Sequence, residues 1–515
     1  MHNKDNEATQ PILQSSTEER PNYNTYEEEF VVYKRHKVAE LYCGLPLLAW
    51  FSVFATVMAG FLLGYDIGIM SGVIVVLAEE TRADTEHWGV AQSEHRKELI
   101  VSMTVIFAAV GALASGRINE MVGRRYTLLT GTLLFFVSSL LMAWSWTWIV
   151  LVVGRGVAGL AIGLLSMTAP PFISEQMLTE WRGPMNCANQ LMITLGILVA
   201  CVVAGSCSYL DGGWRWMLGL GALPAALMFL LVCYIPESVR WLAHHGRQEE
   251  ARAVLEELRG GKEVEEEWGF ILEDVAAPGE EVSGCHQLHK MWTCVPVRRA
   301  LVLGIMLQLF QQITGINSVI YYSDTIILKA GKFSTSGAIW LGAIVAAVNS
   351  TATVLGLLSN VIERYGRKVL IVCSLVGMSL GLSVLIVCFY LQEEKGVDNI
   401  PLAVVGLCLY VAGFAPGMGP LPWLINSELF PMWCRDTAIS ITTTTNWISN
   451  ALVAMTFLSI SQGMGTYQAF SLYLVACITA IIYFLFLLPE TRGIPLEKVH
   501  ELFKDRLIFS PFSSY

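Results

Sequence analysis

The chain has 515 residues, 54% of them hydrophobic and only 15% charged, with a mean hydropathy of +0.53. That is too apolar and too poor in charge for an ordinary soluble protein, and it reads as a membrane protein crossing the bilayer many times. The net charge of −10 carries no basic patch with interleaved aromatics, which excludes nucleic acid as a partner. Twelve cysteines are scattered through the chain without a CxxC pair or a His/Cys cluster at metal spacing. Neither a disulfide framework nor a metal site is expected, and no nucleophile–base pair or cofactor motif suggests an enzyme.

Residues 1–46 are polar and mixed in charge, without the apolar core of a secretory signal, and are expected to be a cytoplasmic tail. Apolar runs follow at 47–78, 98–120, 127–146, 148–171, 185–207, 215–234, 300–329, 336–362, 368–391, 401–430, 437–461 and 465–488. Each is long enough for a helix to cross the hydrocarbon core, which takes roughly 20 residues, so the expected fold is all-α with twelve spans. Spans six and seven are separated by a charged linker, 235–299, in which 248–259 has the i, i+3, i+4 apolar spacing of an amphipathic helix. A pair of surface helices is expected there. Five Lys and Arg lie in 1–46, eight in 235–299, and others at Arg124, Arg125, Arg367, Lys368 and in the tail 489–515. The opposite loops are nearly bare of them, apart from 79–97, so both termini and the linker are expected in the cytoplasm.

The chain also repeats itself. Glu175 and Arg182-Gly183 recur as Glu428 and Arg435-Asp436, and Pro236-Glu237-Ser238 recurs as Pro489-Glu490-Thr491. Glu120 with Gly123-Arg124-Arg125 recurs as Glu363 with Gly366-Arg367-Lys368. Two parallel six-helix halves, 47–234 and 300–488, follow, joined by the linker. The repeated charges fall at cytoplasmic helix ends. One reading makes Arg124, Arg125, Glu175, Arg182 and Glu237, with Glu363, Arg367, Glu428 and Arg435, an ion-pair latch holding that side shut, with Glu428 meeting Arg182 or Arg124 across the halves. The other reading is plain topogenic charge, although the positive-inside rule does not require acids beside the bases.

Charge and amide inside the spans narrow the function further. Asp66 lies near the middle of the first span and Arg155 early in the fourth, and the expected pairing of the two makes either a proton-coupling site or a static buried ion pair. In the seventh span, Gln308-Leu-Phe-Gln311-Gln312-Ile-Thr-Gly-Ile-Asn317 sets a row of amides around Gly315, where a helix can break. Amides are costly in hydrocarbon unless partnered, so the row faces the bundle interior, either as a binding surface or as glue between helices.

Gly116-Arg-Ile-Asn-Glu-Met-Val-Gly123-Arg124-Arg125, Pro236-Glu237-Ser238-Val-Arg240-Trp241-Leu242, Gln311-Gln312-Ile-Thr-Gly315-Ile-Asn317, Gly419-Pro420-Leu-Pro422-Trp423 and Pro489-Glu490-Thr491-Arg492-Gly493 together resemble the sugar porter branch of the major facilitator superfamily, over about 45–500. The resemblance implies a secondary active transporter working by alternating access. It implies that Gln190, Gln311, Gln312, Asn317, Asn349, Trp423 and Asn446 bind the hydroxyls of a cyclic sugar or polyol, and that Tyr321 and Tyr322 form an outer gate. Amides donate and accept at once, and an indole offers a flat apolar face with one donor, which suits such a substrate. Asp after Gly64-Tyr65 resembles proton-coupled members, in which the proton is the coupling ion. The stretch 416–457 is most similar to proton/myo-inositol cotransporters, although the outer loop at 392–400 is shorter than in many of them. Proton/myo-inositol symport at the plasma membrane is thus expected, with a hexose carrier as the alternative and a non-transporting sensor as a distant one.

Overall fold

The computed structural model describes residues 46–81, 88–90, 93–261, 264–276, 284–358, 365–490 and 503, and every regular element among them is a helix. The first half comprises α1 (Leu47–Glu80), α2 (Glu94–Val122), α3 (Arg124–Ala143), α4 (Trp148–Gln176), α5 (Thr179–Cys207), and a sixth span divided into α6 (Gly213–Gly219) and α7 (Ala222–Cys233). The second comprises α12 (Val295–Ile313), α13 (Ile316–Tyr321) and α14 (Ser323–Lys329), which together make the seventh span, then α15 (Thr335–Leu358), α16 (Arg367–Lys395), α17 (Ile400–Phe414), α18 (Leu421–Glu428), α19 (Arg435–Gly463) and α20 (Thr466–Leu487). Hydroxyl and amide side chains begin several of them. Ser93 accepts from the Arg96 N–H, Thr147 from Val150 and Asn399 from Leu402, each relieving a donor that the first turn leaves unpaired.

Among the described residues, ten spans are long and apolar enough to cross a membrane. The expected spans at 401–430 and 437–461 fall outside that set for different reasons. The first is split into α17 and α18 around Ala415–Pro420, so neither piece is long enough. The second, α19, has 29 residues, but its run Ser440-Ile-Thr-Thr-Thr-Thr-Asn446 lowers its hydropathy. That polar run is buried against other helices, with Thr442, Thr443 and Asn446 all inaccessible, so polarity here marks an inward face.

Small residues let the helices touch. A Cβ on Gly64 would collide with the Ile193 carbonyl and one on Gly196 with that of Phe61, so α1 and α5 pack backbone to backbone. Neighbours repeat between halves. In the first half α1 packs on α5, α2 on α4, and α3 on α4 and α7; in the second α12 packs on α19, α15 on α17, and α16 on α17 and α20. The halves meet where α2 lies against α19 and α5 against α15, two contacts that exchange under the same repeat.

The linker holds four described helices rather than a pair: α8 (Val239–His244), α9 (Gln248–Arg259), α10 (Glu265–Ala276) and α11 (Gly284–Thr293). Leu242, Leu255, Leu258 and Trp268 of the first three form an apolar cluster with Ala49, Val53, Ile173 and Met177 at the end of the first half. Arg259 ties them down with a bidentate contact to Glu267 at 2.8 Å and a bond to the Gln176 carbonyl at 2.9 Å. In contrast, α11 attaches to the second half, where Gln287 donates to the Trp433 carbonyl at 2.7 Å and accepts from Thr437 at 3.0 Å. The end of the bundle carrying the linker is here called the linker face, and the opposite end the far face.

Candidate transport site

The seventh span breaks where the sequence allows it. Gly315 adopts φ +95°, a conformation that side-chain-bearing residues seldom take, and the Tyr473 ring fills the place where its Cβ would stand. Tyr410 donates to the carbonyl of Thr314 at 2.9 Å and secures the break. The amide row then converges on Asn446 of α19. Asn446 Nδ2 donates to Gln308 Oε1 at 2.7 Å and to Gln311 Oε1 at 2.8 Å, while its Oδ1 accepts from Gln312 Nε2 at 3.0 Å. Asn317 donates to Gln312 Oε1 at 2.7 Å. Gln311 Nε2 reaches carbonyls freed by the break between α17 and α18, at Met418 (2.7 Å) and Gly419 (3.0 Å). Gln308 belongs to this network although only its neighbours were singled out as binding residues.

Other expected binding residues surround the cluster. Asn349 of α15 is buried and, among the described residues, its Oδ1 has no hydrogen-bond partner. Trp423 on α18 is partly exposed, and Gln190 of α5 lines a cleft with Thr353, Gly356, Leu357, Ala415, Pro416 and Pro420. This cleft lies between the halves on the linker side of the amide cluster. Sequence reasoning passed over Asn189, Thr443, Trp447 and Asn450. Asn189 Oδ1, Thr443 Oγ1, Trp447 Nε1 and Asn450 Oδ1 are buried, and none has a partner among the described residues. The spacing 443, 446, 447, 450 on one face of α19 is a signal that could have found three of them. Buried polar atoms left unpaired inside an apolar bundle are costly, so they are ready for a polar ligand.

In the first half, Asp66 and Arg155 meet as expected. Both are buried; Arg155 Nη1 donates to Asp66 Oδ1, Nη2 to Oδ2 at 3.1 Å, and Nε to the Ile100 carbonyl at 3.2 Å. The guanidinium fork matches the carboxylate and leaves neither charge uncompensated.

Toward the far face the halves are tied together. Ser71 and Ser323 hydroxyls lie 2.9 Å apart, and Ser459 on α19 gives its N–H and hydroxyl to Glu98 of α2 at 2.8 and 2.6 Å. Tyr321 and Tyr322 are buried beside this seam, Tyr322 donating to the Ala454 carbonyl at 3.0 Å and stacking on Phe457. Nearer mid-span, Ser350 donates to the Thr194 carbonyl at 2.9 Å.

At the linker face the repeated motifs build the same device twice. Gly123 and Gly366, at φ +100° and +87°, each precede a helix whose first N–H groups point at a carboxylate. Glu237 accepts from the N–H of Arg124 at 2.9 Å and of Arg125 at 3.1 Å; Glu490 accepts from Arg367 at 2.9 Å and Lys368 at 3.1 Å. An anion at a helix N-terminus satisfies orphan donors and meets the positive end of the helix dipole. Burial pushes the Glu237 carboxyl up, opposed by those N–H donors and by the Arg124 charge. Arg124 then pairs with Glu175 at 3.2 Å and Arg367 with Glu428 at 3.3 Å. Arg125 reaches the Cys233 carbonyl and Arg435 the Phe430 carbonyl. These two pairs each lie within one half, Arg367 being a partner of Glu428 among the described residues. The Arg182 side chain and Glu363 lie outside the described residues.

A family model described as Sugar (and other) transporter matches residues 52–503. The chain belongs to this family of membrane transporters. It is 32% identical to the proton myo-inositol cotransporter of Homo sapiens, over 90% of this chain and 83% of that one. It is 34% identical to the galactose-proton symporter of Escherichia coli (strain K12), over 89% and 95%. Its structure superposes on that of the proton:xylose symporter bound to 6-bromo-6-deoxy-D-glucose with a TM-score of 0.75 at 27% identity, covering 89% of this chain and 99% of that one. A partially occluded inward open form of the xylose transporter from E. coli matches with a TM-score of 0.74 at 26% identity, covering 87% and 99%. This transporter therefore has the major facilitator fold, is a multi-pass membrane protein, and is not an enzyme.

Proposed function

We propose that this transporter moves a cyclic polyol or sugar together with protons, and that myo-inositol is its substrate. The observation that carries the coupling is the buried bidentate Asp66–Arg155 pair, because a carboxylate that can exchange its cation for a proton is a coupling device placed inside the bundle. Protonation of Asp66 releases Arg155, whose Nε stays anchored to the Ile100 carbonyl, and so loosens α1 against α4. The amide cluster around Asn446, with the unpaired atoms of Asn349, Trp447 and Asn450, supplies the donors and acceptors that a ring of hydroxyls needs. Gln190, Gln311, Gln312, Asn317 and Trp423 complete that site in this reading, and Tyr321 and Tyr322 close it from outside.

The Lys and Arg carried by the linker and tails support placing the linker face in the cytoplasm, and the plasma membrane is the location in this reading. With the far face tied by Ser71–Ser323 and Glu98–Ser459, the conformation in this reading is one closed to the outside. The ion pairs Arg124–Glu175 and Arg367–Glu428 brace the linker-face ends of each half as they rock. The inositol relatives favour myo-inositol, and the galactose-proton relative keeps a hexose as the second reading. Labelled myo-inositol uptake, beside labelled glucose and galactose, with and without an inward proton gradient, is the test. Inositol accumulation that collapses with the gradient is expected. Uptake indifferent to pH and membrane potential would replace symport by facilitated transport, and uptake of hexose alone would replace the substrate.

A further inference from the structure

Asp66 is not the sole acid buried among the described spans. Asp324, on α14 just beyond the two gate tyrosines, is 2% exposed and sits on the seam between the halves. Its N–H donates to Ser71 Oγ of α1 at 2.9 Å, and its Oδ1 accepts from Ser323 at 3.3 Å. The carboxylate presses so closely on Gly342 of α15 that any Cβ there would collide with Oδ1, and its other oxygen faces Gly72 of α1. The groups facing it are Ser71 and Gly72 from α1, Gly342 from α15 and, from α5, the Cys201 thiol, the one titratable group among them. On its own helix Lys329 turns away, donating to Ser461 at 3.0 Å. Among the described residues, then, no cation is paired with Asp324.

An ionised carboxylate enclosed without a cation is strongly disfavoured, whereas one in an open, hydrated gate is not. Closing this seam and ionising Asp324 therefore oppose each other. We propose that Asp324 is a proton-operated lock on the far-face gate, closing as the carboxylic acid and loosening as the carboxylate. The proton comes from the far-face medium on closing and returns to it on opening, so the lock carries no proton across the membrane. It biases the gate, and its action is independent of the coupling assigned to Asp66.

Cys201 of α5, whose thiol contacts the Gly68 carbonyl of α1 and senses the Asp324 charge, is a native reporter of the gate. The experiment applies an impermeant maleimide to each side of sealed vesicles holding the full chain and follows Cys201 modification by peptide mass spectrometry, in wild type, Asp324→Asn and Asp324→Glu. The thiol's own pH dependence divides out of the ratio of wild-type to Asp324→Asn rate, and a carboxylate near the thiol would only slow wild type as it ionises, so a climb in that ratio isolates the lock. That ratio, measured from the far face, should climb with pH from about 4, where the hydrated carboxyl of the open gate begins to ionise, by up to about tenfold per unit until the closed form ionises as well. Asp324→Glu should retain the climb, and so should the wild-type side chain in an Asp66→Asn background, which separates this lock from the coupling site. A ratio flat with pH, or a climb lost in Asp66→Asn, would overturn it.

Discussion

The two halves of the bundle solve the same problem, polar groups in an apolar interior, in opposite ways. In the first half the solution is charge: Asp66 and Arg155 face each other as a bidentate pair with their remaining contacts filled. In the second it is neutral amide: Gln308, Gln311, Gln312, Asn317 and Asn446 share donors and acceptors, and Asn349, Trp447 and Asn450 retain unpaired atoms around them. A buried carboxylate needs compensation by a cation or a proton, because leaving its charge alone in a low dielectric is far more costly than leaving an amide alone. Amides can exchange one another for a ligand's hydroxyls at modest cost. The half that carries charge is therefore suited to a proton, and the half that carries amides to a substrate that arrives and leaves.

Breaking the charged side should give the largest effect. Arg155→Ala strands Asp66 in the interior, at a cost of about 3–5 kcal/mol if the carboxylate stays ionised. The carboxyl escapes that cost by holding a proton, so gradient-driven uptake should fail. Asp66→Asn keeps the side chain neutral and hydrogen-bonding, so labelled-substrate counterflow should persist while acid-driven accumulation disappears. Uptake and counterflow in the same vesicles at several external pH values would check both, and equal loss of the two activities in Asp66→Asn would reduce the pair to a structural one.

Breaking the amide side should cost less and appear as affinity. Removing one partner from a buried hydrogen bond costs about 1–3 kcal/mol, or roughly 5- to 150-fold. Asn446→Ala disconnects three glutamines at once and should lie at the upper end. Gln312→Ala and Gln311→Ala should raise the half-saturating concentration less, with surface expression unchanged. Unaltered affinity in all three would assign the cluster to helix packing.

A third, smaller effect sharpens the comparison because it should be equal in the two halves. Glu428→Lys opposes Arg367, and Glu175→Arg opposes Arg124; each charge reversal should be partly rescued by reversing its own partner, with couplings of about 0.5–3 kcal/mol for these largely buried pairs. The measurement is the double-mutant cycle on transport rate and on accessibility labelling from the far face. Rescue of Glu428→Lys by Arg182→Glu or Arg124→Glu, instead of by Arg367→Glu, would establish a latch across the halves. The smallest change expected is Glu237→Gln or Glu490→Gln, which keeps a hydrogen-bond acceptor at a helix start but removes the charge, worth about 0.3–1 kcal/mol in thermal unfolding.

The amino-acid sequence by itself determined the elements and their symmetry. Apolar runs long enough to cross hydrocarbon leave the backbone no choice but the helix, and the duplicated Gly-Arg and Pro-Glu motifs specify duplicated helix starts. Gly315 announced the break in the seventh span, and two ionisable side chains inside apolar runs, Asp66 and Arg155, announced each other, since each required an opposite charge. Only the tertiary structure decided which neighbours the other polar residues would meet. Glu428 could have reached several bases, and which one it faces depends on how the ends of α16, α18 and α19 converge. Gln308 lies one turn before Gln311 and joins the network because Asn446 stands opposite both, a fact that depends on the register of α19 against α12. Asp324 lies two residues after Tyr322 in sequence, yet that no cation among the described residues pairs with it emerges only when α1 and α15 close around it with serine and glycine. Spacing along one helix is local chemistry; what lies across from it is set by packing between helices far apart in the chain.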